Sequence, residues 1–466
     1  MWNRTRIIPL VVACPMFLQN LDTSVMGTAL PAIADSLDAD VLHLNLAITS
    51  YLLSLVLFLP ASAWLAERYG PRRVFCTAVF LFSLASALCG AATTLGQLIF
   101  FRLLQGVGGA MMVPVGRLIL LRAVPVAQMV VAMVWFTVPG GIGRLMGPLV
   151  GGAIVTVMSW RWIFLVNIPF GLAGVLLALY FIDKDLPPDS DAEMAPFDVP
   201  GLLLMAAALG GLLGALEMAG KSLMPWPGVV ALACVGCASL WLYLRRSNAQ
   251  AVPLVDFKVF RFLTFRASVA GGAPVRVAIG ASPFLLPLLF QVGFGMTPLQ
   301  AGTITMATAL GSLGIRGAVT RAVKTFGYRR MLILSSATTS LFYAAYTFFT
   351  PETPHALLFV VLLFAGMSNA MTLVVLATIG YNEIPRNRMG HATALGTMAQ
   401  QVSVAFGVTL AASLVELAHY FHGGAPGVLA AADFRPALIA VAMLPFMSAI
   451  AFLRLPKNTA LADDET

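Results

Sequence analysis

Charge is what this sequence has least of. Asp, Glu, Lys and Arg together make up 10% of the 466 residues, against about 25% in an ordinary soluble domain. Apolar residues make up 59%, above the roughly 45–50% of soluble chains. A water-soluble fold could not cover that much apolar surface, so the solvent is lipid. A cytosolic enzyme, a nucleic-acid binder and a disordered chain are excluded. Residues that hold metals or reactive centres are also scarce: there are five cysteines and five histidines. Cys14, Cys76, Cys89, Cys234 and Cys237 all lie in apolar runs. Cys234-Val-Gly-Cys237 has neither a histidine nor an acid nearby, so it reads as two small packing residues. No metal-ligand cluster, nucleophile–base pair or nucleotide-binding loop stands at a useful spacing. The expectation is a protein that is not an enzyme or an ATP-driven pump, with no metal and no cofactor. No small-residue cleavage site follows the first apolar run at signal-peptide distance, so Arg4 and Arg6 precede an uncleaved span.

What the sequence does have is long apolar runs. A helix needs about 20 apolar residues to cross about 30 Å of hydrocarbon. Runs of that kind are predicted near 7–29, 44–66, 73–92, 97–121, 127–155, 161–182, 199–219, 227–245, 267–293, 298–320, 329–349, 354–380, 391–416 and 435–454. These are fourteen spans, and an even count puts both termini on one side. Positive residues mark the cytoplasmic side. With cytoplasmic termini, the inner segments hold twenty Lys and Arg residues, from Arg4 and Arg6 to Arg454 and Lys457. The outer loops then hold only Arg161, Lys221 and Arg435. The inner loop Asp183–Asp198 has six acids and one lysine, but acids count little in this rule. Trp160, Trp162 and Trp226 fall at the outer interface, with Trp2, Trp64 and Trp241 at the inner one. The localisation expected is an integral protein of a bacterial cytoplasmic (inner) membrane.

A repeat is visible. Gly70-Pro-Arg-Arg73 follows the second span and Gly327-Tyr-Arg-Arg330 follows the tenth. Six spans, two extra spans and six more is the simplest parse. Repeated halves around a midplane site mark secondary transporters. The expected domains are an N-terminal six-helix bundle over 1–182, an acidic loop with two extra helices and a basic linker over 183–266, and a C-terminal bundle over 267–466.

Five segments, in order, carry a family likeness. They are Leu21-Asp-Thr-Ser-Val25 with Ala29-Leu-Pro31; Ala63-Trp-Leu-Ala-Glu-Arg-Tyr-Gly-Pro-Arg-Arg73; Arg102-Leu-Leu-Gln-Gly106 with Gly108 and Gly109; Gly143-x-x-x-Gly147-Pro148-x-x-Gly151-Gly152; and Trp160-Arg-Trp-Ile-Phe-Leu-Val-Asn-Ile-Pro169. The chain resembles the major facilitator superfamily, in its fourteen-span drug:proton antiporter branch. The likeness implies an all-α polytopic membrane protein of the major facilitator fold, with 14 transmembrane helices in two pseudo-symmetric halves. It implies a small-molecule substrate, protons and membrane lipids as partners, no nucleic acid, and a monomer.

Ionisable residues inside a span are costly and so are functional candidates. Two acids lie well inside, Asp22 and Glu217. Asp22 is about 14 residues past Ile8, or roughly 21 Å along a helix, in the outer half of span one. Arg102 lies at similar depth in span four, and the resemblance makes those spans neighbours. Asp22 and Arg102 are expected to communicate for proton coupling, directly or through water. Burial favours the neutral acid and a nearby arginine favours the carboxylate; the other reading is a polar contact that fixes packing. Glu217, near the outer end of the first extra span, reads as a peripheral, water-facing acid. Arg117 and Arg316 sit near inner ends, where they can snorkel. Arg276 lies near the midplane of span nine, after Pro274 and flanked by Gly271, Gly272 and Gly280. A breakable helix with one central cation suits a substrate site. Arg144 departs from the small-residue pattern of span five and either lines the cavity or binds lipid phosphate. Gln105, Asn369, Gln400 and Gln401 either touch substrate or bond between helices.

Gly143, Gly147 and Gly151 form one smooth face that lets backbones approach. Against a span of the other half it would seal one side of the cavity, with Pro148 adding a bend. Glu67, Arg68, Gly70, Arg72 and Arg73 form the inner loop motif. Gly70 permits its turn, and the resemblance implies that Glu67 latches to span thirteen near His391. The bland reading is a set of topology-setting charges. The function expected is a proton-coupled exporter, a drug:H+ antiporter moving small amphipathic molecules by alternating access. Buried arginines outnumber buried acids, so export of small organic anions stays open as an alternative. An uncoupled facilitator or a membrane receptor is the reading of a different class.

Overall fold

The computed structural model describes residues 4–124, 128–184, 197–219, 224–250, 253–385, 388–423 and 429–455, and among them there is no strand. The middle of the acidic loop, Lys221, Arg386 and Lys457 lie outside the described residues. So do the side chains of Arg316 and Lys324. The chain divides into two compact units, Met1–Gly210 with Gly236–Leu254, and Gly211–Val235 with Val255–Thr466. This division passes through both helices of the extra hairpin, α9 and α10 below. Among the described residues, 12 helices are long and apolar enough to cross a membrane. The other two predicted spans, the second and the tenth, are also helical but fall short of that length in a single helix.

In the first unit, α1 (Arg4–Ser36) carries Pro9, Pro15 and Pro31 without ending. The span expected to stop near residue 29 runs past Pro31 to Ser36. Asp22 is therefore close to the middle of α1, just inside its second half. The second predicted span is α2 (Asn45–Phe58) followed by α3 (Ala61–Tyr69), with Leu59-Pro60 between them. Then come α4 (Pro71–Ala91) and α5 (Leu95–Ala123), the latter capped by Thr94, whose side chain accepts from the Gln97 amide. Helix α6 is Met129–Val157, α7 is Trp162–Leu165 and α8 is Asn167–Phe181. The hairpin is α9 (Val199–Ala219) and α10 (Trp226–Ala249).

Glycines set how these helices meet. A Cβ on Gly106 would stand 2.6 Å from the Tyr51 carbonyl oxygen, and one on Gly108 would stand 2.7 Å from the Phe82 amide. Helix α5 is thus wedged between α2 and α4. The α6 face of Gly143, Gly147 and Gly151 meets Phe17, Ser24 and Thr28 of α1. That corrects the expectation of a partner in the other half: the smooth face serves the first helix of its own unit. Spacing shows that a close-packing face exists but says nothing of its partner.

The second unit holds α11 (Leu263–Arg266), a π turn over Ala267–Gly271, α12 (Ala273–Leu288) and a second π turn over Leu289–Gly293. Next are α13 (Pro298–Gly314), α14 (Arg316–Ala345), α15 (His355–Ile379), α16 (Met389–Phe421) and α17 (Ala431–Phe452). Leu332, Val375, Leu376, Ile379 and Phe452 form a core cluster. The two units repeat one packing scheme. Helix α1 lies on α6 as α12 lies on α16; α5 meets α2 and α4 as α15 meets α13 and α14. Gly280 and Gly407 make the α12–α16 approach, against Val404 and Val277.

The repeated loop motif has one geometry in both copies. Gly70 (φ 90°) and Gly327 (φ 74°) take left-handed turns, which glycine adopts without a steric penalty. Arg72 then donates to the Leu179 carbonyl near the end of α8, and Arg329 donates to the Leu453 carbonyl just past α17, at 2.7 Å. A cation on the carbonyl end of a helix also meets the negative end of its dipole.

Candidate functional site

Asp22 and Arg102 are brought together. Arg102 Nη1 stands 2.6 Å from Asp22 Oδ2, each side chain about 1% exposed. Gly106 lets α5 come close to α2, which puts Arg102, one turn earlier, beneath the Tyr51 ring. The guanidinium lies 4.4 Å from the Tyr51 ring centroid and 5.8 Å from that of Phe164. Its Nε donates to the Ala47 carbonyl at 3.2 Å, and Nη1 also donates to Gln105 Oε1 at 2.8 Å.

The other carboxylate oxygen is satisfied as well. Asp22 Oδ1 accepts from Gln105 Nε2 at 3.0 Å and from Asn167 Nδ2 at 3.3 Å. Asn167 Nδ2 also donates to Ser86 Oγ at 2.9 Å, and Ser86 donates to the Phe164 carbonyl at 2.9 Å. Breaking a buried ion pair costs several kcal/mol, about 3–5, because one charge is left uncompensated. Here both charges have neutral partners besides each other. A proton on Asp22 would still leave Arg102 with the Ala47 carbonyl, the Gln105 amide oxygen and two aromatic faces.

Arg276 is treated differently. It is 7% exposed, its Nη1 donates to the Ser268 carbonyl at 2.6 Å, and its Nε is buried without a hydrogen-bond partner. The chain just before it is wound as a π turn over Ala267–Gly271, followed by Gly272. No carboxylate among the described residues pairs with it.

The remaining candidates are spread out. Gln105 belongs to the ion pair and not to an open surface. Arg144 is exposed on α6 and donates to Asn20 Oδ1 at 2.9 Å. Asn369 donates to the Tyr343 hydroxyl at 3.0 Å and keeps a buried, unpartnered Oδ1. Gln401 is half-buried on α16. Glu67 and Arg73 are exposed beside the Gly70 turn, and Arg68 lies 5.9 Å from the Trp64 ring centroid. Arg117 is exposed near the end of α5. Glu217 corrects its expectation: it is 2% exposed and not water-facing, because depth along a helix does not fix which way a residue points.

Some residues of the site escape sequence reasoning. Asn167 sits inside the Trp160–Pro169 string with no signal of its own there, and Ser86 and Tyr51 leave none. A further cluster escapes it too: His419 Nδ1 and His422 Nδ1 stand 2.9 and 2.7 Å from the two oxygens of Asp433. A span ending at 416 leaves these residues in a loop. The i, i+3 histidine spacing on a longer helix is the signal that exposes them. Among the described residues no group of three His, Cys, Asp or Glu side chains could hold a metal ion.

Known proteins share both the sequence pattern and the fold. A sequence model of the Major Facilitator Superfamily matches residues 12–408. The chain is 36% identical over 450 residues to a protein of Salmonella heidelberg (strain SL476) named "Putative multidrug resistance protein MdtD", covering 96% of this chain and 94% of that one. The protein of the same name from Salmonella typhimurium matches equally. Among solved structures, an auto-inhibited POT family peptide transporter aligns with a TM-score of 0.68 at 14% identity, covering 98% of this chain and 99% of that chain. A D-xylose–proton symporter aligns at 0.67 and 14%, covering 97% and 98%. These structural likenesses speak for the fold alone.

Proposed function

The chain belongs to the major facilitator superfamily, a family of transporters, and from that premise we propose that it is a proton-coupled exporter of small amphipathic molecules. One observation carries the reading: Asp22, mid-way along α1, is a buried carboxylate paired with a fully buried arginine inside a set of neutral partners. Protonating Asp22 takes away the counter-charge of Arg102 but leaves it the Ala47 carbonyl, Gln105 and two aromatic faces, so proton loading and release would switch the pair on and off. Helix α1 meets α6 along glycines, which lets the helix that carries Asp22 pack closely on its partner. In this reading the turns at Gly70 and Gly327, with Arg72 and Arg329, tie the ends of moving helices. The basic bias of the even-numbered loops supports cytoplasmic termini in a bacterial inner membrane. The relatives' name supports efflux of drug-like compounds.

The test is proton movement in proteoliposomes under an imposed pH gradient, with a lipophilic dye or an aromatic acid as the trial substrate. Wild type is expected to move protons when substrate is added. Asp22→Asn is expected to lose at least nine-tenths of that flux while remaining folded. Full substrate-evoked proton flux in Asp22→Asn would overturn the reading.

A further inference from the structure

Burying a cation without a counter-charge is costly, and such residues persist where a ligand completes them. Arg276 is 7% exposed, and its Nε has no partner within the protein. It borders a small cavity of about 50 Å³ between α12, α15 and α16. Ser268, Tyr381, Thr397 and Gln400 also line this cavity, and Phe265 is among its apolar walls.

The space is made by absent side chains. A Cβ on Gly272 would clash with the Ser268 carbonyl oxygen, the oxygen to which Arg276 Nη1 donates. A Cβ on Gly396 would stand 2.7 Å from the Tyr381 hydroxyl. The floor is tied down by the π turn, from which Ser268 Oγ donates to the Leu376 carbonyl at 2.7 Å. Two features are therefore independent: a buried cation with an unused donor, and a cradle kept open beside it by glycine.

We propose that this cavity of the C-terminal unit binds the anionic group of the transported molecule, a carboxylate or phosphate, with Arg276 as its counter-charge. Gln400 supplies a neutral donor, and the Phe265 wall takes an adjoining ring or hydrocarbon. The inference rests on the transport reading and adds the charge of the substrate to it. An organic acid is admitted and a cationic drug is repelled from this subsite.

The experiment is ligand-induced thermal stabilisation of the purified full chain in detergent. The probes are benzoate and succinate, each beside its uncharged amide. The acids are expected to raise Tm where the amides do not. Arg276→Gln is expected to weaken acid binding at least tenfold, and Gln400→Leu to weaken it severalfold without touching the charge. A second arm measures the same shift in nanodiscs of phosphatidylcholine with and without phosphatidylglycerol. Equal shifts from acid and amide, no shift from either acid, or a shift retained in Arg276→Gln would each overturn the proposal. A shift given by phosphatidylglycerol alone would overturn it in favour of a lipid headgroup. No gradient is involved, so failure here is distinguishable from failure of proton coupling.

Discussion

Helices α1 and α12 hold corresponding places in the two units, each packed along glycines on a long partner, and they bury opposite charges. Helix α1 carries Asp22; α12 carries Arg276. The acid is answered from α5, where Arg102 lies one turn before Gly106. One turn before Gly366, the glycine by which α15 approaches α13, stands Leu362, fully buried and apolar. One unit closes its electrostatics internally and the other leaves a cation unanswered. A pair that closes on itself suits a proton, which needs no space. A lone cation beside a cavity suits a larger anion. On the proposed reading the same scaffold serves two uses, decided by which helices carry the few charges this sequence has.

This contrast is breakable by stability measurements, because the two arginines should respond with opposite sign. The largest effect is expected from Arg102→Leu, which leaves the Asp22 carboxylate uncompensated. It should cost about 3–5 kcal/mol, read as a large fall in Tm of the purified protein. Asp22→Asn combined with Arg102→Leu should recover most of that loss, since no bare charge remains. An unchanged Tm in Arg102→Leu would show that the pair is not buried in the working protein. Next in size is Arg276→Gln, expected to raise the ligand-free Tm by the equivalent of roughly 1–2 kcal/mol, because it removes a buried unpaired charge. A fall would mean that Arg276 is a structural tie and would erase the contrast. The smallest effect is expected from Asn167→Ala, which deletes one hydrogen bond to Asp22 and one to Ser86. A loss of about 1 kcal/mol, with a changed pH profile of proton flux, would sharpen the view that Asn167 positions the carboxylate. A changed Tm with an unchanged pH profile would restrict Asn167 to packing.

Much of the first unit's site is legible in the sequence. Asp22 is one of two acids well inside a span, and Arg102 stands at matching depth, so their pairing follows once the family resemblance makes their helices neighbours. Asn167 is visible as a letter in a motif but not as a ligand of Asp22, because it is 145 residues away in the chain. The glycine face of α6 is readable from its spacing of four, whereas its partner in α1 is not. Glu217 shows the same limit, since hydropathy gives depth and not direction. The π turn before Arg276 is foreshadowed by Gly271 and Gly272, but the emptiness beside it depends on Gly396 and Tyr381 of other elements.

Composition alone requires a lipid solvent, because so few charges cannot clothe a soluble surface. Spacing alone requires helices, since a chain crossing hydrocarbon must satisfy its backbone internally. The repeated Gly-x-Arg-Arg strings announce two related halves. Which buried charges find partners is left to packing. Pairing needs donors and acceptors within about 3 Å, and that proximity is created by glycine contacts between helices far apart in sequence. The burial of Asp22 against Arg102, and the isolation of Arg276, are therefore properties of how the helices meet.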